Sequence, residues 1–225
     1  MSAFLSFAKE HNLTLPENFL DKISKFCELL LEANKTTNLV SKNDEQKLMT
    51  RHVADSLIFA SFFNSQLSTL NSQLSTLNFQ LSTLNSKIIW TDIGSGAGFP
   101  VVPLCVYFPQ MKFFAVESRK KRCEFLHSVK QKLDLQNLEI IQGTVGTKKF
   151  LPLQHLQIDI VSCRAVGSLS EDFERAKTLL KKGGHFLTLK SKRIVEENAQ
   201  LLKHAKIWNY RLPQEEMEYA LVHLL

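Results

Sequence analysis

The four cysteines, Cys27, Cys105, Cys123 and Cys163, never fall at C-x-x-C spacing, which removes the common zinc and dithiol frameworks. No apolar run reaches the length of a membrane span. Met1 to Glu10 mixes polar and apolar residues instead of forming a long apolar leader, so the expectation is a reduced, cytoplasmic, metal-free protein. An acidic excess is missing as well: the net charge is +6, and residues 87–150 carry ten Lys and Arg against five Asp and Glu. That balance suits a polyanionic partner without requiring one. What remains is 225 residues, 44% hydrophobic and 22% charged, enough for one globular domain with a substantial core and a small cap.

Glycine is scarce, eight in all, yet three stand at alternate positions in Trp90-Thr91-Asp92-Ile93-Gly94-Ser95-Gly96-Ala97-Gly98-Phe99-Pro100. The apolar run Ile88 to Ile93 predicts a short buried strand, and Pro100 opens an apolar helix running to about Phe108. Glycines let the backbone take positive φ and approach a ligand closely, while free N–H groups at the helix start offer donors. The spacing is G-x-G-x-G, with Asp92 two residues before the first glycine, not the G-x-G-x-x-G of a dinucleotide turn. It looks like the S-adenosylmethionine loop of class I methyltransferases. A second strand, Lys112 to Val116, ends in Glu117, where both nucleotide-binding families place a carboxylate on the ribose hydroxyls. Asp92, Gly94, Ser95, Gly96, Gly98 and Glu117 are therefore candidate cofactor-binding residues.

Upstream, residues 4–33 show helical periodicity, with Phe4, Leu5 and Ala8 on one face and Phe19, Ile23, Phe26, Cys27, Leu30 and Leu31 on a second. A polar loop, 34–42, leads to a helix expected from about Asp44 through Arg51-His52-Val53-Ala54-Asp55-Ser56. Residues 64–84 are three near-identical heptads whose leucines recur at spacings of three and four. The pattern is that of an amphipathic helix, while Ser, Thr and Asn disfavour one. Near-identity points to a recent duplication tolerated in a surface connection, and no chemistry is assigned to it.

From Ile88 onward strands and helices alternate. After the helix Arg119 to Leu133 come a third strand, Leu138 to Ile141, and a fourth, Ile158 to Ser162. A helix from Leu169 to Leu180, a Gly183-Gly184 turn and a fifth strand, His185 to Leu189, follow. A helix Ile194 to His204 precedes a closing hairpin of Ala205 to Arg211 and Tyr219 to Leu224. This order predicts an α/β fold with a mostly parallel, Rossmann-like sheet of seven strands. The expected organisation is a helical cap at 1–63 packed on the core, the insertion at 64–86, and a methyltransferase domain at 87–225.

Ligands of such sheets bind beyond the carboxyl ends of the strands, so Val145 and Gly146, Arg164 and Lys190 are the next candidates. No Asn/Asp-Pro-Pro-aromatic tetrapeptide follows strand four to orient an exocyclic amine. Cys163 lacks the preceding proline common before a thiolate nucleophile and reads as a small buried hydrophobe. A ring nitrogen with a free lone pair, such as guanine N7, needs neither device. Arg164 is placed to grip cofactor or guanine acceptors, and Lys190 a phosphate.

Asn38-Leu39, Arg51-His52-Val53-Ala54-Asp55-Ser56, the glycine turn through Phe99-Pro100, Ser162-Cys163-Arg164-Ala165 and Leu189-Lys190 stand in a familiar order. In these segments the chain resembles the bacterial 16S ribosomal RNA guanine-N7 methyltransferases, also called glucose-inhibited division protein B, nearly throughout outside 64–86. The resemblance implies a cytoplasmic monomer that transfers a methyl from S-adenosylmethionine to N7 of one guanosine in 16S rRNA, met as free RNA or in the small ribosomal subunit. It implies that Gly94, Phe99, Val145, Gly146 and Arg164 contact the cofactor. Asn38, Arg51 and His52 would line the substrate pocket, and Arg164, Lys190 and His52 would serve substrate binding and catalysis. Three features depart from the family: Gly146 stands where an acidic residue is common, Cys163 enters a Ser-Arg-Ala segment, and the heptad repeat is foreign. Two further readings are an NAD-dependent oxidoreductase, against which the glycine spacing and terminal hairpin argue, and a non-catalytic RNA-binding protein of the same fold.

Overall fold

The short apolar runs become the strands of a single sheet in the computed structural model, which describes residues 1–74, 88–147, 150, 152–153, 155–164, 167–200 and 202–225, with 66–74 given by backbone. The strands are β1 (Ile89–Ile93), β2 (Lys112–Glu117), β3 (Leu138–Gln142), β4 (Ile158–Arg164), β5 (Leu180–Ser191), β6 (Lys206–Arg211) and β7 (Glu218–Leu224). Their order is β3-β2-β1-β4-β5-β7-β6. β1 to β5 run parallel, and β7 enters antiparallel between β5 and β6.

Side chains alternate between the two faces of each strand. Trp90, Phe113, Ala115, Ile160, Leu187, Leu189 and Leu221 point to one face. Ile93, Val116, Val161, Cys163, Phe186, Ala220 and Val222 point to the other. The first face is covered by α1 (Ser2–Glu10), α2 (Phe19–Thr37) and α4 (Ala54–Leu74), whose Phe4, Phe19, Phe26 and Phe59 belong to the same apolar cluster. α5 (Val101–Tyr107) and α6 (Lys120–Lys132) complete that side. The second face is covered by α7 (Leu169–Lys177) and α8 (Lys192–Glu197).

Several boundaries differ from those expected. The helix expected from Asp44 is broken into α3 (Lys42–Glu45), capped by the Ser41 hydroxyl, and a π-helical turn, Leu48–Val53, before α4 begins. The wider turn brings Leu48, His52 and Val53 inward together. Strand four continues to Arg164, which pairs opposite Leu189. Gly183 and Gly184 do not start strand five but lie inside it, where the register shifts between Ile158 and Ile160 and Gly183 takes φ +73°. The last helix stops at Glu197, where the Asn198 side-chain amide donates to the Ile194 carbonyl at 2.8 Å. α4 runs through the first heptad into the second, to Leu74. The rest of the repeat lies outside the described residues.

Candidate active site

The glycine turn leaves β1 with Gly94, Gly96 and Gly98 all at positive φ, +72°, +54° and +95°. The two later glycines have different tasks. A Cβ on Gly98 would meet Val102 at 2.9 Å, Phe26 at 3.1 Å and Leu126 at 3.3 Å, so this glycine lets the turn pack on α2 and α6. A Cβ on Gly96 would meet only Arg122 Nη1 at 3.5 Å and the Gly94 carbonyl at 3.7 Å, leaving its side open to a ligand. Gly96→Val is therefore expected to abolish S-adenosylmethionine binding while the protein stays folded, read by calorimetry beside circular dichroism. Wild-type cofactor affinity in that variant would remove the turn from the cofactor site.

Ser95 is buried and braces the turn, its hydroxyl donating to the Asp92 carbonyl at 3.1 Å. Glu117 ends β2 with one carboxylate oxygen accepting the Gly96 N–H at 2.9 Å and the other the Arg119 N–H at 2.8 Å. The second of these oxygens also accepts the Ser118 hydroxyl at 3.3 Å, so the lone pair left for a ribose hydroxyl is on the oxygen that takes the Gly96 N–H. Val145 is buried beside Phe150 in the second apolar cluster, and Gly146 follows it at φ +85°.

Asp92 lies beneath the turn. The Trp90 indole N–H donates to the Ser162 hydroxyl at 3.0 Å, and that hydroxyl donates to Asp92 Oδ1 at 2.8 Å. Asp92 Oδ2 is buried and makes no hydrogen bond. Burial pushes this carboxyl up to about 7, against the Ser162 hydrogen bond and the positive charge of Arg164. An unpartnered buried acceptor, an open glycine turn and the Glu117 carboxylate together fit a ligand with an ammonium group and a ribose, as S-adenosylmethionine has.

The raised Asp92 value has a measurable consequence. Between about pH 4 and 7 the folded protein keeps a proton on Asp92 that the unfolded chain has released, so this contribution to stability falls as pH rises, by at most about 1.4 kcal/mol per unit. His52, pushed down to about 4, gives the opposite slope over part of that range, so the readout is the difference between wild type and Asp92→Asn in urea unfolding without cofactor. That difference is expected to move in favour of the Asn variant as pH rises. A pH-independent difference would mean that Asp92 is ionised throughout.

Beyond the ends of β4 and β5 a cavity of about 380 Å³ is lined by Arg51, His52, Asp55, Arg164 and Lys190, with Tyr219. Alternation along β4 puts Arg164 on the face of Ile160 and Ser162, beneath the N-terminal helices. There its Nη1 donates to Asp55 Oδ2 at 3.0 Å and its Nη2 to His52 Nδ1 at 2.6 Å. Its guanidinium also stands 5.5 Å from the centre of the Phe99 ring. Phe99 in turn stacks on His52 at 5.1 Å and meets Phe26 edge-on at 5.1 Å. The Tyr210 phenol donates to Asp55 Oδ1. Desolvation and the neighbouring Arg164 hold His52 at about 4, so at neutral pH its ring is uncharged, with Nδ1 accepting from Arg164 and the proton on Nε2. In this arrangement His52 orients Arg164 and has no free basic nitrogen. Burial raises the Asp55 carboxyl, opposed by Arg164 and Tyr210.

Two expected site residues, Lys190 and Asn38, are placed differently. Lys190 alternates onto the opposite face from Arg164, and its ammonium is spent on Asp172 Oδ2 at 3.0 Å and the Gly167 carbonyl at 3.2 Å. It lines the cavity wall, but as half of a buried ion pair and not as a free phosphate grip. Asn38 ends α2 in the left-handed conformation, φ +49°, with its side chain exposed. The buried amide is Asn34, which accepts the N–H groups of Leu39 and Val40 and donates to Glu45. Arg51 stands at the mouth, half-exposed, 3.6 Å from Asp44 and 3.8 Å from Glu215. Tyr210 and Asp172 hold the site and were not among the expected residues, while Asp55, named in the Arg51–Ser56 segment without a role, holds it with them. Cys163 points away from it, its thiol pushed up by burial beside Thr188, as befits a small hydrophobe.

An antiparallel strand slipped between the last two of a parallel sheet, a glycine turn after β1 and a carboxylate closing β2 define a class I S-adenosylmethionine-dependent methyltransferase. A solved structure, the fibrillarin pre-rRNA processing protein of Methanococcus jannaschii, matches the fold with a TM-score of 0.50 at 17% identity, over 63% of this chain and 67% of that one. Residues 19–214 match the family described as rRNA small subunit methyltransferase G, and the chain belongs to that family. It is 34% identical over 189 residues to the ribosomal RNA small subunit methyltransferase G of Staphylococcus aureus strain JH9, covering 84% of this chain and 71% of that protein. The protein of the same name from Leuconostoc citreum is 33% identical over 202 residues, covering 88% and 76%.

Proposed function

We propose that the protein methylates N7 of a guanosine in 16S rRNA. The observation that carries this reading is Arg164, fixed by Asp55 and His52 at the end of β4 with neither a thiolate nor an amine-orienting device beside it. A guanine N7 carries its own lone pair and loses no proton on alkylation, so the site has to align and polarise, not deprotonate. S-adenosylmethionine supplies an activated methyl group on a sulfonium. Asp92, Glu117 and the amides around Gly96 would hold it, with Phe99 and Val145-Gly146 at the edges of that site. Arg51 at the mouth would meet the RNA backbone.

This reading places the protein in the cytoplasm and treats it as a monomer that meets either free rRNA or the small ribosomal subunit. Among the described residues no helix is long and apolar enough to cross a membrane. The experiment is transfer of labelled methyl to unmodified small subunits and to naked rRNA, followed by mapping of the modified base. Label on guanine N7 in either substrate supports the proposal, and the better substrate shows whether ribosomal protein takes part. Cofactor binding with label on another atom, or on none, would reject it.

A further inference from the structure

We propose that the Asp55–Arg164 ion pair reads the O6 and N1–H edge of the target base, admitting guanine and excluding adenine. The inference rests on the guanine-N7 reading and gives Asp55, which that reading uses only to fix Arg164, a direct contact with the base. An arginine commonly recognises guanine by a fork onto O6 and N7. That mode is closed to an enzyme that alkylates N7, because the lone pair to be methylated would be occupied by an N–H donor. Discrimination has to come from the other side of O6.

The cavity offers that arrangement. Arg164 Nη1 and Asp55 Oδ2 lie 3.0 Å apart on its wall, a donor and an acceptor side by side. Guanine presents an acceptor, O6, next to a donor, N1–H. Adenine presents the reverse, an amino donor next to the N1 acceptor, and would set like against like at both positions. Asp55 cannot turn away, since the Tyr210 phenol holds its other oxygen. The guanidinium still has unspent N–H bonds after those to Asp55 and His52, and each Asp55 oxygen has a second lone pair.

The two ends of the guanidinium are unlike, which fixes the sense of the base. Asp55 sits at Nη1 and His52 at Nη2. In guanine, O6 is flanked by N1–H on one side and N7 on the other, so a base with N1–H on Asp55 has N7 at the His52 end of the guanidinium, where His52 Nδ1 already takes an Nη2 N–H. His52 stacks on Phe99, the residue after Gly98. Both side chains are largely buried, 12% and 17% exposed, so an adenine would set its amino group against the guanidinium N–H and its N1 against the carboxylate where water has little access to relieve either clash.

The test uses RNA carrying guanosine, inosine, 1-methylguanosine or adenosine at the position that maps as the target, with kcat/KM for labelled methyl transfer to each. Inosine keeps O6 and N1–H, and is expected within a few-fold of guanosine. 1-Methylguanosine keeps O6 and N7 but loses the N1 donor, and is expected to fall by about a hundredfold. Asp55→Ser is expected to lower transfer to guanosine and to narrow the guanosine to 1-methylguanosine ratio to a few-fold, which a merely structural loss would leave unchanged. Inosine rejected as strongly as 1-methylguanosine, 1-methylguanosine accepted by wild type, or an unchanged ratio in Asp55→Ser would overturn the proposal. Should the variant fail to fold, the wild-type comparison of inosine with 1-methylguanosine still decides. Absence of label on guanosine N7 in wild type would reject the underlying reading and this inference with it.

Discussion

Lys190→Ala is expected to lower the unfolding temperature by roughly ten degrees, through a loss of about 3 kcal/mol, and not simply to weaken RNA binding. The Lys190 and Asp172 side chains are 6% and 1% exposed, and removing the ammonium leaves the carboxylate buried without its principal partner. Arg175, 3.5 Å from the other Asp172 oxygen and part exposed, offers some compensation, which sets the figure at the low end for a broken buried pair. Replacing both members with apolar residues, Lys190→Met with Asp172→Leu, is expected to recover most of the loss. Thermal and urea unfolding of both variants beside wild type provide the check. An alanine variant that melts with wild type yet fails to hold rRNA would return Lys190 to the phosphate role expected from its position in the sequence.

The second large effect falls on Arg164. Arg164→Lys keeps the charge, but a single ammonium cannot make the forked bonds to Asp55 and His52 together. Methyl transfer is expected to fall by about a hundredfold, the scale of losing one preorganised donor, while S-adenosylmethionine affinity stays within a few-fold of wild type. Single-turnover transfer and calorimetry on the same preparation separate the two quantities. A parallel loss of cofactor affinity would move Arg164 into the cofactor site, and transfer within threefold of wild type would remove it from the chemistry.

Local pattern made the strand, the glycine turn and its helix legible, because each is written in consecutive residues. The helical face Phe19, Ile23, Phe26, Leu30 continues in step to Asn34, and that period could have singled out Asn34 over Asn38 as the buried amide. Alternation along a strand carried a second unused signal: with Cys163 in the core, Arg164 must face the other way. What the sequence did not carry were the partners. Asp55 meets Arg164 across 109 residues and Tyr210 across 155, and no spacing rule connects positions that far apart. The strand ends moved for a related reason. Gly183 and Gly184 punctuate the sequence like a turn, yet pairing with β4 carries the strand through them as an irregularity.

The hydrogen bond from Tyr210 to Asp55 also ties distant parts of the chain together. Tyr210 lies on the closing hairpin, Asp55 on α4, and Arg164 at the end of β4 shares the same carboxylate, so this wall of the cavity is assembled from three segments far apart in the sequence. A substitution at Tyr210 in the hairpin therefore reaches Arg164 through a single carboxylate, without touching the cavity itself.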